Sequence, residues 1–269
     1  MSAELGPEGQ APGRERRLVT AEWQRRTEAE YRSAALASQV TLWLIQVGAP
    51  PDLIRDGLQV VEDELSHSEL SAQVAGAAGA GETPPVLDSQ ALTLPCPDGP
   101  LPAVALALVR FFCIGETVAV PMFRMLRAKA TEPLCRDVLD VVLRDEARHR
   151  QFGWDGLDWL LDAHQPRVGP AIAAALPAMM AEVRQAYGGS GDSSSPPLPP
   201  DVEAWGLADT SAYAATLTQA LAADVTPRRE ARGLHGSGRG GPGLDAGLRL
   251  IERKVGAVPA RDHAPKVPA

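Results

Sequence analysis

Two five-residue stretches of this chain share the pattern D-E-x-x-H, at positions 63–67 (DELSH) and 145–149 (DEARH). On a helix, residues three and four apart share a face, so the Asp, Glu and His of each motif point the same way. Carboxylate and imidazole groups bind divalent metal ions. Two such motifs, joined by one glutamate from each of two further helices, can hold a pair of ions inside a helical bundle.

The two further glutamates are predicted from their distance to the turns. In an antiparallel helical hairpin, two residues lie at the same height when they are equally far from the turn. Glu30 lies 18 residues before position 48 and Glu64 lies 16 after it, whereas Glu116 and Glu146 each lie 15 from position 131. At about 1.5 Å per residue these mismatches amount to a few Å. Glu30 and Glu116 are therefore the predicted partners.

The two hairpins repeat each other, because 86 residues separate Glu30 from Glu116 and 82 separate Glu64 from Glu146. The predicted ligands are Glu30, Glu64, His67, Glu116, Glu146 and His149. Asp63 and Asp145 also face inward, and we expect each to accept a hydrogen bond from a ligand imidazole, in its own half-site or the opposite one. Such a bond sets the tautomer of the ring and raises its basicity.

Apolar periodicity, prolines and glycines predict the elements that position these residues. The predicted helices cover about 20–47, 51–75, 101–129, 132–163, 169–187 and 209–233. A proline-rich stretch over about 81–100 is long enough for a crossover along a bundle. The sequence thus predicts an all-α four-helix bundle with a long crossover and additional C-terminal helices. The expected organisation is a disordered N-terminus (1–17), the bundle with a fifth helix (18–187), a flexible linker (188–200), a helix packed on the bundle (201–233) and a flexible tail (234–269).

Composition narrows the class of protein. The chain has 269 residues, of which 45% are hydrophobic but only 4% aromatic, and this favours helices over sheets. A net charge of −8 argues against a nucleic-acid partner. The three cysteines form no CxxC pair, and no signal-peptide h-region precedes the first helix. The apolar stretch 101–120 contains Arg110 and Glu116, which favours a buried helix over a membrane span. We therefore expect a cytoplasmic protein without a membrane partner.

Four carboxylates and two imidazoles form a ligand set that suits iron or manganese better than zinc. Two divalent ions would offset the four glutamate charges, which are otherwise costly to bury together. The expected cofactor is therefore two iron ions, with manganese as an alternative.

The order E…DExxH…E…DExxH resembles the ferritin-like di-iron carboxylate superfamily. Finer features, at 30–34 (EYRSA), 48–50 (GAP), 115–117 (GET) and 145–149 (DEARH), resemble a group of largely uncharacterised bacterial ferritin-like proteins. The motifs support the resemblance over about 20–165, and helix pattern alone extends it to about 233. It implies a ferritin-like bundle with a di-iron centre that reacts with dioxygen or peroxide. The chain departs from the superfamily in two ways. The lack of a rubredoxin-like CxxC module excludes a rubrerythrin with its own electron-transfer domain, and the extra C-terminal helices disfavour iron storage.

The expected function is a di-iron oxidoreductase that activates dioxygen, as an oxygenase or oxidase of a small organic substrate. It would need an external electron donor, and a homodimer is compatible with it. The alternatives are peroxide scavenging or ferroxidase activity, and a non-catalytic helical binding protein stabilised by its metals. An oxygenase should have an apolar cavity at the metals, a ferroxidase should have an acidic access channel, and a binding protein should have neither.

Two further features bear on the surroundings of the centre. Pro121 cannot donate a hydrogen bond to the carbonyl of Thr117, so a kink or bulge is expected beside Glu116, either incidental or opening a pocket. Small side chains on the face of Glu30 could leave a substrate cavity, with close helix packing as the alternative. The residues concerned are Ser33, Ala34 and Ala37, with Phe112, Cys113, Val120 and Phe123 opposite.

Overall fold

A computed structural model describes residues 13–81, 92–188 and 197–235. Within these ranges all regular secondary structure is helical, which confirms the predicted all-α class. The helices are α1 (Arg14–Gln46), α2 (Pro51–Ala77), α3 (Pro100–Lys129), α4 (Pro133–Gly188), α5 (Pro200–Glu203), α6 (Thr210–Ala220) and α7 (Thr226–Glu230).

The turn between α1 and α2 is set by Gly48 and two prolines. Gly48 has φ +78°, a left-handed conformation that glycine adopts at low cost after a helix end. The N–H of Ala49 donates to the carbonyl of Leu44 at 2.9 Å, which satisfies a carbonyl of the last turn. Pro51 then opens α2, where its missing N–H removes no helical hydrogen bond. The two helices pack against each other along their length.

The apolar helix α3 contains a π-helical segment, Leu108–Glu116. Pro121 follows it within a regular α-helical part, Thr117–Lys129. A proline disturbs the turn that precedes it, because the carbonyl four residues earlier loses its donor. The predicted irregularity beside Glu116 is therefore present, on the N-terminal side of Thr117. Helix α3 is long and apolar enough to cross a membrane, but most of its side chains are buried in the protein, as in the core helix of a soluble protein.

Helix α4 approaches α3 closely at Gly153. A Cβ atom at this position would lie 2.8 Å from the carbonyl carbon of Phe112 and 2.9 Å from the backbone nitrogen of Cys113, closer than packed atoms tolerate. The rings of Phe112 and Phe152 meet edge to face at 5.1 Å between centroids. The absence of a side chain at Gly153 thus brings the second hairpin together one turn beyond His149.

The two hairpins pack on each other, since α1 contacts the start of α3, and α2 contacts α4. Their shared interior is filled by fully buried aliphatic side chains, among them Val40, Leu44, Leu108 and Leu157. This closed arrangement makes one face of each of the four long helices point towards the other three.

The C-terminal segment closes over one end of the hairpins. The indole Nε1 of Trp23 donates to the carbonyl of Trp205 at 3.0 Å, and the Arg26 guanidinium donates to the carbonyl of Gly206 at 2.8 Å. The carbonyl of Ala204 accepts hydrogen bonds from the backbone of Thr131 and its neighbour, in the turn between α3 and α4. Helix α6 packs on both α3 and α4.

Several predicted boundaries differ from the structure. Residues 14–17, predicted to be disordered, belong to α1. The predicted fourth and fifth helices are one element, α4, with a kink at His164, whose backbone is non-helical (φ −139°, ψ 17°). The predicted helix over 209–233 consists of α6, a π-helical segment Leu221–Val225, and α7. Residues 1–12 of the predicted N-terminus, 82–91 of the crossover, 189–196 of the linker and 236–269 of the tail lie outside the described residues.

Candidate metal centre

The four long helices bring all six predicted ligand residues into one buried cluster. None of the six is more than 4% exposed. They form two groups that could each hold a metal ion, and within each group the candidate ligand atoms lie within 4.8 Å of one another. One group is Glu30, Glu64, His67 and Glu146, and the other is Glu64, Glu116, Glu146 and His149.

The two groups share Glu64 and Glu146. Each group is completed by one outer glutamate and one histidine from a single hairpin, Glu30 with His67 and Glu116 with His149. The two imidazole centroids are 5.7 Å apart. A carboxylate has two oxygens, so a shared glutamate can offer one to each of two neighbouring ions.

The two aspartates hold the histidines crosswise. The Nε2 atom of His67 lies 3.2 Å from Asp145 Oδ2, and the Nε2 atom of His149 lies 3.1 Å from Asp63 Oδ2. The aspartate of each motif therefore contacts the imidazole of the other motif. Of the two arrangements that the sequence left open, this is the one across the half-sites. With Nε2 engaged by a carboxylate, the other ring nitrogen is the one left for a metal ion.

The Nδ1 atoms of both histidines face the glutamates. His149 Nδ1 lies 3.3 Å from an oxygen of Glu64 and 3.3 Å from an oxygen of Glu146. His67 Nδ1 lies 3.8 Å from Glu64 and 4.0 Å from Glu146. Neither Nδ1 atom makes a hydrogen bond within the described residues, although both are fully buried. Buried nitrogens aimed at carboxylates fit a site built for a cation.

Two arginines support the aspartates from outside, which the sequence argument did not anticipate. Arg148 contacts both aspartates, with Nη2 3.0 Å from Asp63 and 2.7 Å from Asp145. Arg144 contacts Asp145 alone, at 2.7 Å. The spacing of Arg148 three residues after Asp145 favours that one ion pair, but its contact with Asp63 of α2 has no local signal in the sequence.

The carboxylates determine the protonation of the histidines. Burial lowers the pKa of His67, but the hydrogen bond that the imidazole donates to Asp145 and the nearby Glu64 and Glu30 outweigh it, and the pKa rises to about 9. The same balance of burial against carboxylates raises the pKa of His149 well above its ordinary value. Without a metal, both imidazoles are therefore positively charged at neutral pH, with a proton on each ring nitrogen. A metal ion that binds Nδ1 must displace that proton.

The arginines and histidines have the opposite effect on the aspartates. Burial raises the pKa of Asp145, but hydrogen bonds with His67 and Arg144 and the charge of Arg148 outweigh it, so the net pKa is lowered. Asp63 follows the same pattern, with hydrogen bonds from His149, Gln59 and Arg148. Both aspartates stay ionised and keep accepting from Nε2.

A cavity described by the structure lies away from the six candidate ligands. The structure describes a cavity of about 160 Å³ between Trp43, the crossover and Met179, and none of the six ligand residues lines it. Of the three small residues on the Glu30 face, Ala34 and Ala37 are buried and Ser33 is partly buried. The burial of the two alanines favours close helix packing, the alternative to a cavity on this face.

The fold and the site define an all-helical protein whose buried glutamate and histidine groups can hold metal ions. Comparisons with protein-family models, with curated proteins and with solved structures found no match for this chain. The functional argument therefore depends on the geometry of the centre and the chemistry of its ligands.

Proposed function

We propose that this chain is a ferritin-like four-helix-bundle protein that binds two iron ions and uses them to activate dioxygen. The observation that carries the proposal is the sharing of Glu64 and Glu146 between two groups, each completed by one histidine and one outer glutamate. A site for a single ion needs one such group. Two overlapping groups with two shared carboxylates suit a pair of ions held close together.

Charge supports two ions rather than one. Four glutamates buried together carry four negative charges, and the protonated histidines offset only two of them. Two divalent ions add four positive charges while displacing the two imidazolium protons. The cluster then approaches neutrality, which a buried site favours.

The ligand chemistry supports iron, with manganese as the alternative. Oxygen ligands with one imidazole per ion suit either metal, whereas zinc in proteins prefers sites with more nitrogen or sulfur. Iron in such a site supplies electrons to dioxygen when it is reduced. The chain orients the ligands: Asp145 and Asp63 keep the Nε2 protons in place, so both Nδ1 lone pairs face the glutamates. Burial keeps bulk water away.

The proposed reaction is oxidation of a small organic molecule, with electrons from an external donor and with a cytoplasmic location. The described cavity lies away from the six ligands, so the substrate part of the proposal depends on the ligand set alone. Peroxide scavenging is the competing activity for the same centre. The two are separated by whether dioxygen or peroxide is consumed faster by the reduced protein.

The test is anaerobic titration with ferrous iron, followed by exposure to oxygen. We expect two iron ions per chain by elemental analysis and a change in near-ultraviolet and visible absorption within seconds to minutes of oxygen exposure. Glu64→Gln should abolish both results. Glu62→Gln is the matched control, because Glu62 is exposed and lies two residues away on α2. Two bound ions without any oxygen consumption would refute the proposed dioxygen activation, and if peroxide is not consumed either, a metal-stabilised binding protein is left.

A further inference from the structure

A cavity of about 160 Å³ lies at the end of the hairpins away from the C-terminal segment. Its walls come from the end of α1, the first half of α3, the crossover before α3, and the second half of α4. Apolar side chains dominate, among them Trp43, Leu94, Pro102, Leu106, Phe111 and Met179. Trp43 and Leu94 are buried, so the cavity is set into the protein.

The size of the cavity suits one small ring. An apolar cavity of about 150 Å³ in a protein core holds one benzene molecule. Aromatic and thioether side chains, here Trp43, Phe111 and Met179, make favourable contacts with a flat ring. The cavity is thus matched to a molecule with about six to eight non-hydrogen atoms, by comparison with that benzene site.

The crossover wall of the cavity is fixed in place. Gln39 of α1 donates its amide to the carbonyl of Leu94 at 2.8 Å and accepts from the N–H of Leu94 at 2.6 Å. The chain then turns at Gly99, which has φ +86° and donates to the carbonyl of Cys96. A side-chain amide that satisfies both backbone groups of one residue holds this wall against α1, so the cavity is preformed.

One cationic residue lines this otherwise apolar space. Arg110 is 2% exposed, and its Nη2 pairs with a carboxylate oxygen of Glu182 at 2.7 Å. Its Nε makes no hydrogen bond within the described residues. Leaving a buried N–H without an acceptor is costly, and the cost is larger for a charged group. Burial lowers the pKa of Arg110, in keeping with this incomplete solvation.

The charged residues around the cavity determine whether a neutral or an anionic hydrogen-bond acceptor can bind there. Glu182 already neutralises Arg110, and Asp98, which is exposed to solvent, adds a further carboxylate to the lining. The formal charges of Arg110, Glu182 and Asp98 together are negative, so these carboxylates repel an anionic ligand. A neutral oxygen can accept a hydrogen bond from Arg110 without that repulsion. We infer that this cavity is a binding site for a small neutral ring compound with one oxygen that accepts a hydrogen bond from Arg110.

The site is separate from the metal centre. Glu116 follows Arg110 by six positions on α3, about 9 Å along the helix at most, and none of the six candidate ligand residues lines the cavity. Binding can therefore be measured with or without metal, and its outcome does not depend on the proposed oxygen chemistry.

The experiment compares phenol, toluene and benzoate, which share one ring and differ in the polar group. Dissociation constants are measured by ligand-observed NMR with the full-length protein. We expect phenol to bind about tenfold more tightly than toluene, as one hydrogen bond to a charged donor provides. Benzoate should bind more weakly than phenol despite its stronger acceptor. Tighter binding of benzoate would refute the inference, because it would show a free cationic site.

Two variants locate the binding. Ala103→Leu fills the cavity and should weaken phenol and toluene binding by at least about tenfold. Ala174→Leu adds the same volume at an exposed position of α4 and should leave binding unchanged. Equal binding by wild type and Ala103→Leu would place the ligand elsewhere and overturn the inference. So would the failure of all three compounds to bind, which would mean that the cavity holds only water.

The polar contact is tested with the double variant Arg110→Met and Glu182→Met. Replacing both partners leaves no unpaired buried charge, and such replacements are often tolerated. We expect phenol to lose its tenfold preference over toluene, while toluene binding stays within about twofold. If the double variant fails to fold, as judged by circular dichroism, the Ala103→Leu comparison and the order of the three ligands still decide the inference.

Discussion

The two half-sites of the candidate centre are alike in their ligands and unlike in their supports. Each contributes one outer glutamate, one shared glutamate, one histidine and one aspartate, and each aspartate holds the histidine of the other half. In the first half, Glu30 lies on the regular helix α1. In the second half, Glu116 ends a π-helical segment of α3.

The arginines that contact the two aspartates come only from α4, whereas α2 contributes the neutral Gln59, which donates to Asp63 at 2.9 Å. Arg148 occupies the position that Ser66 occupies in the first motif, and it contacts both aspartates. Arg144 occupies the position of Glu62, and it contacts Asp145. A symmetric ligand set is thus stabilised by an asymmetric outer layer. A sequence repeat thus places the candidate ligands in both halves, while the charged contacts to both aspartates come from one half alone.

The largest expected effect distinguishes shared from outer glutamates. Glu146→Gln should abolish binding of both metal ions, because Glu146 belongs to both groups. Glu30→Gln and Glu116→Gln should each reduce the stoichiometry from about two ions per chain to about one, since each removes a ligand from one group. Metal content after anaerobic loading and dialysis is the measurement. If Glu30→Gln also loses both ions, the two groups do not act as separate half-sites.

The next effect tests the asymmetry of the outer layer. Arg148→Gln should weaken both metal sites by about tenfold, within the range for residues that support ligands indirectly. Arg144→Gln should weaken only the site of His67, because it contacts Asp145 and not Asp63. The measurement is a cobalt titration followed by visible absorption, with two binding steps expected for the wild-type protein.

Arg148→Lys provides the control for charge alone. A lysine keeps the positive charge, but its shorter side chain ends in a single ammonium group and lacks the planar guanidinium whose Nη2 atom contacts both aspartates. We expect it to restore part of the binding. Identical titrations for Arg144→Gln and Arg148→Gln would contradict the proposed bridging role of Arg148.

The third effect concerns the metal-free protein and its pH dependence. The pKa of His67 in the folded state is about 9, above its ordinary value of 6.5, so protonation stabilises the fold. That stabilisation is complete below about pH 6.5 and is lost as the pH rises through about 9. The free energy of unfolding in the presence of a chelator should therefore fall over this window. His149 should add to the fall, since its pKa is also raised.

Metal binding should show the opposite trend. Because the ions displace imidazole protons, apparent metal affinity should increase with pH over the same window. Urea unfolding at several pH values, with and without metal, measures both trends. In His67→Gln the decline of the metal-free protein should become shallower. A metal-free protein that gains stability between pH 6.5 and 9 would show that the histidines are neutral in the folded state.

The smallest effect compares the residues that follow the two outer glutamates. Tyr31 follows Glu30 and is 44% exposed, whereas Thr117 follows Glu116 and is fully buried. The indole Nε1 of Trp154 donates to Thr117 Oγ1 at 3.0 Å. Thr117→Val leaves this buried donor without a partner and should cost about 1–3 kcal/mol of unfolding free energy. Chemical denaturation measures it. Thr218→Val, at an exposed position of α6, should change stability by less than about 0.5 kcal/mol.

Much of the local structure could be predicted from the sequence. Proline and glycine positions predicted the start of α2 and the turn at Gly48, because these residues restrict or permit backbone angles within a few residues. The failure at residues 14–17 has the same local origin. Their charged composition suggested disorder, but the contact of Arg16 with the carbonyl of Ala78, at the end of α2, anchors this turn of α1.

The grouping of the ligands was predictable for a physical reason. Helical periodicity placed Glu64 and His67 on one face, and equal distances from a turn placed Glu30 and Glu116 at matching heights. These arguments need only the rise and the period of a helix. They could not predict the shared role of Glu64 and Glu146, because this depends on the distances between helices from different hairpins.

The sequence alone thus determined the helical class, the turns and the faces that carry the candidate ligands, since these follow from interactions among neighbouring residues. Tertiary structure decided which nitrogen of each histidine faces the glutamates, which arginine joins the two halves, and where a cavity remains. Asp63 and His149 are 86 residues apart, and Arg110 and Glu182 are 72 apart. Contacts over such separations exist only after the helices have packed, so packing, and not local pattern, specifies them.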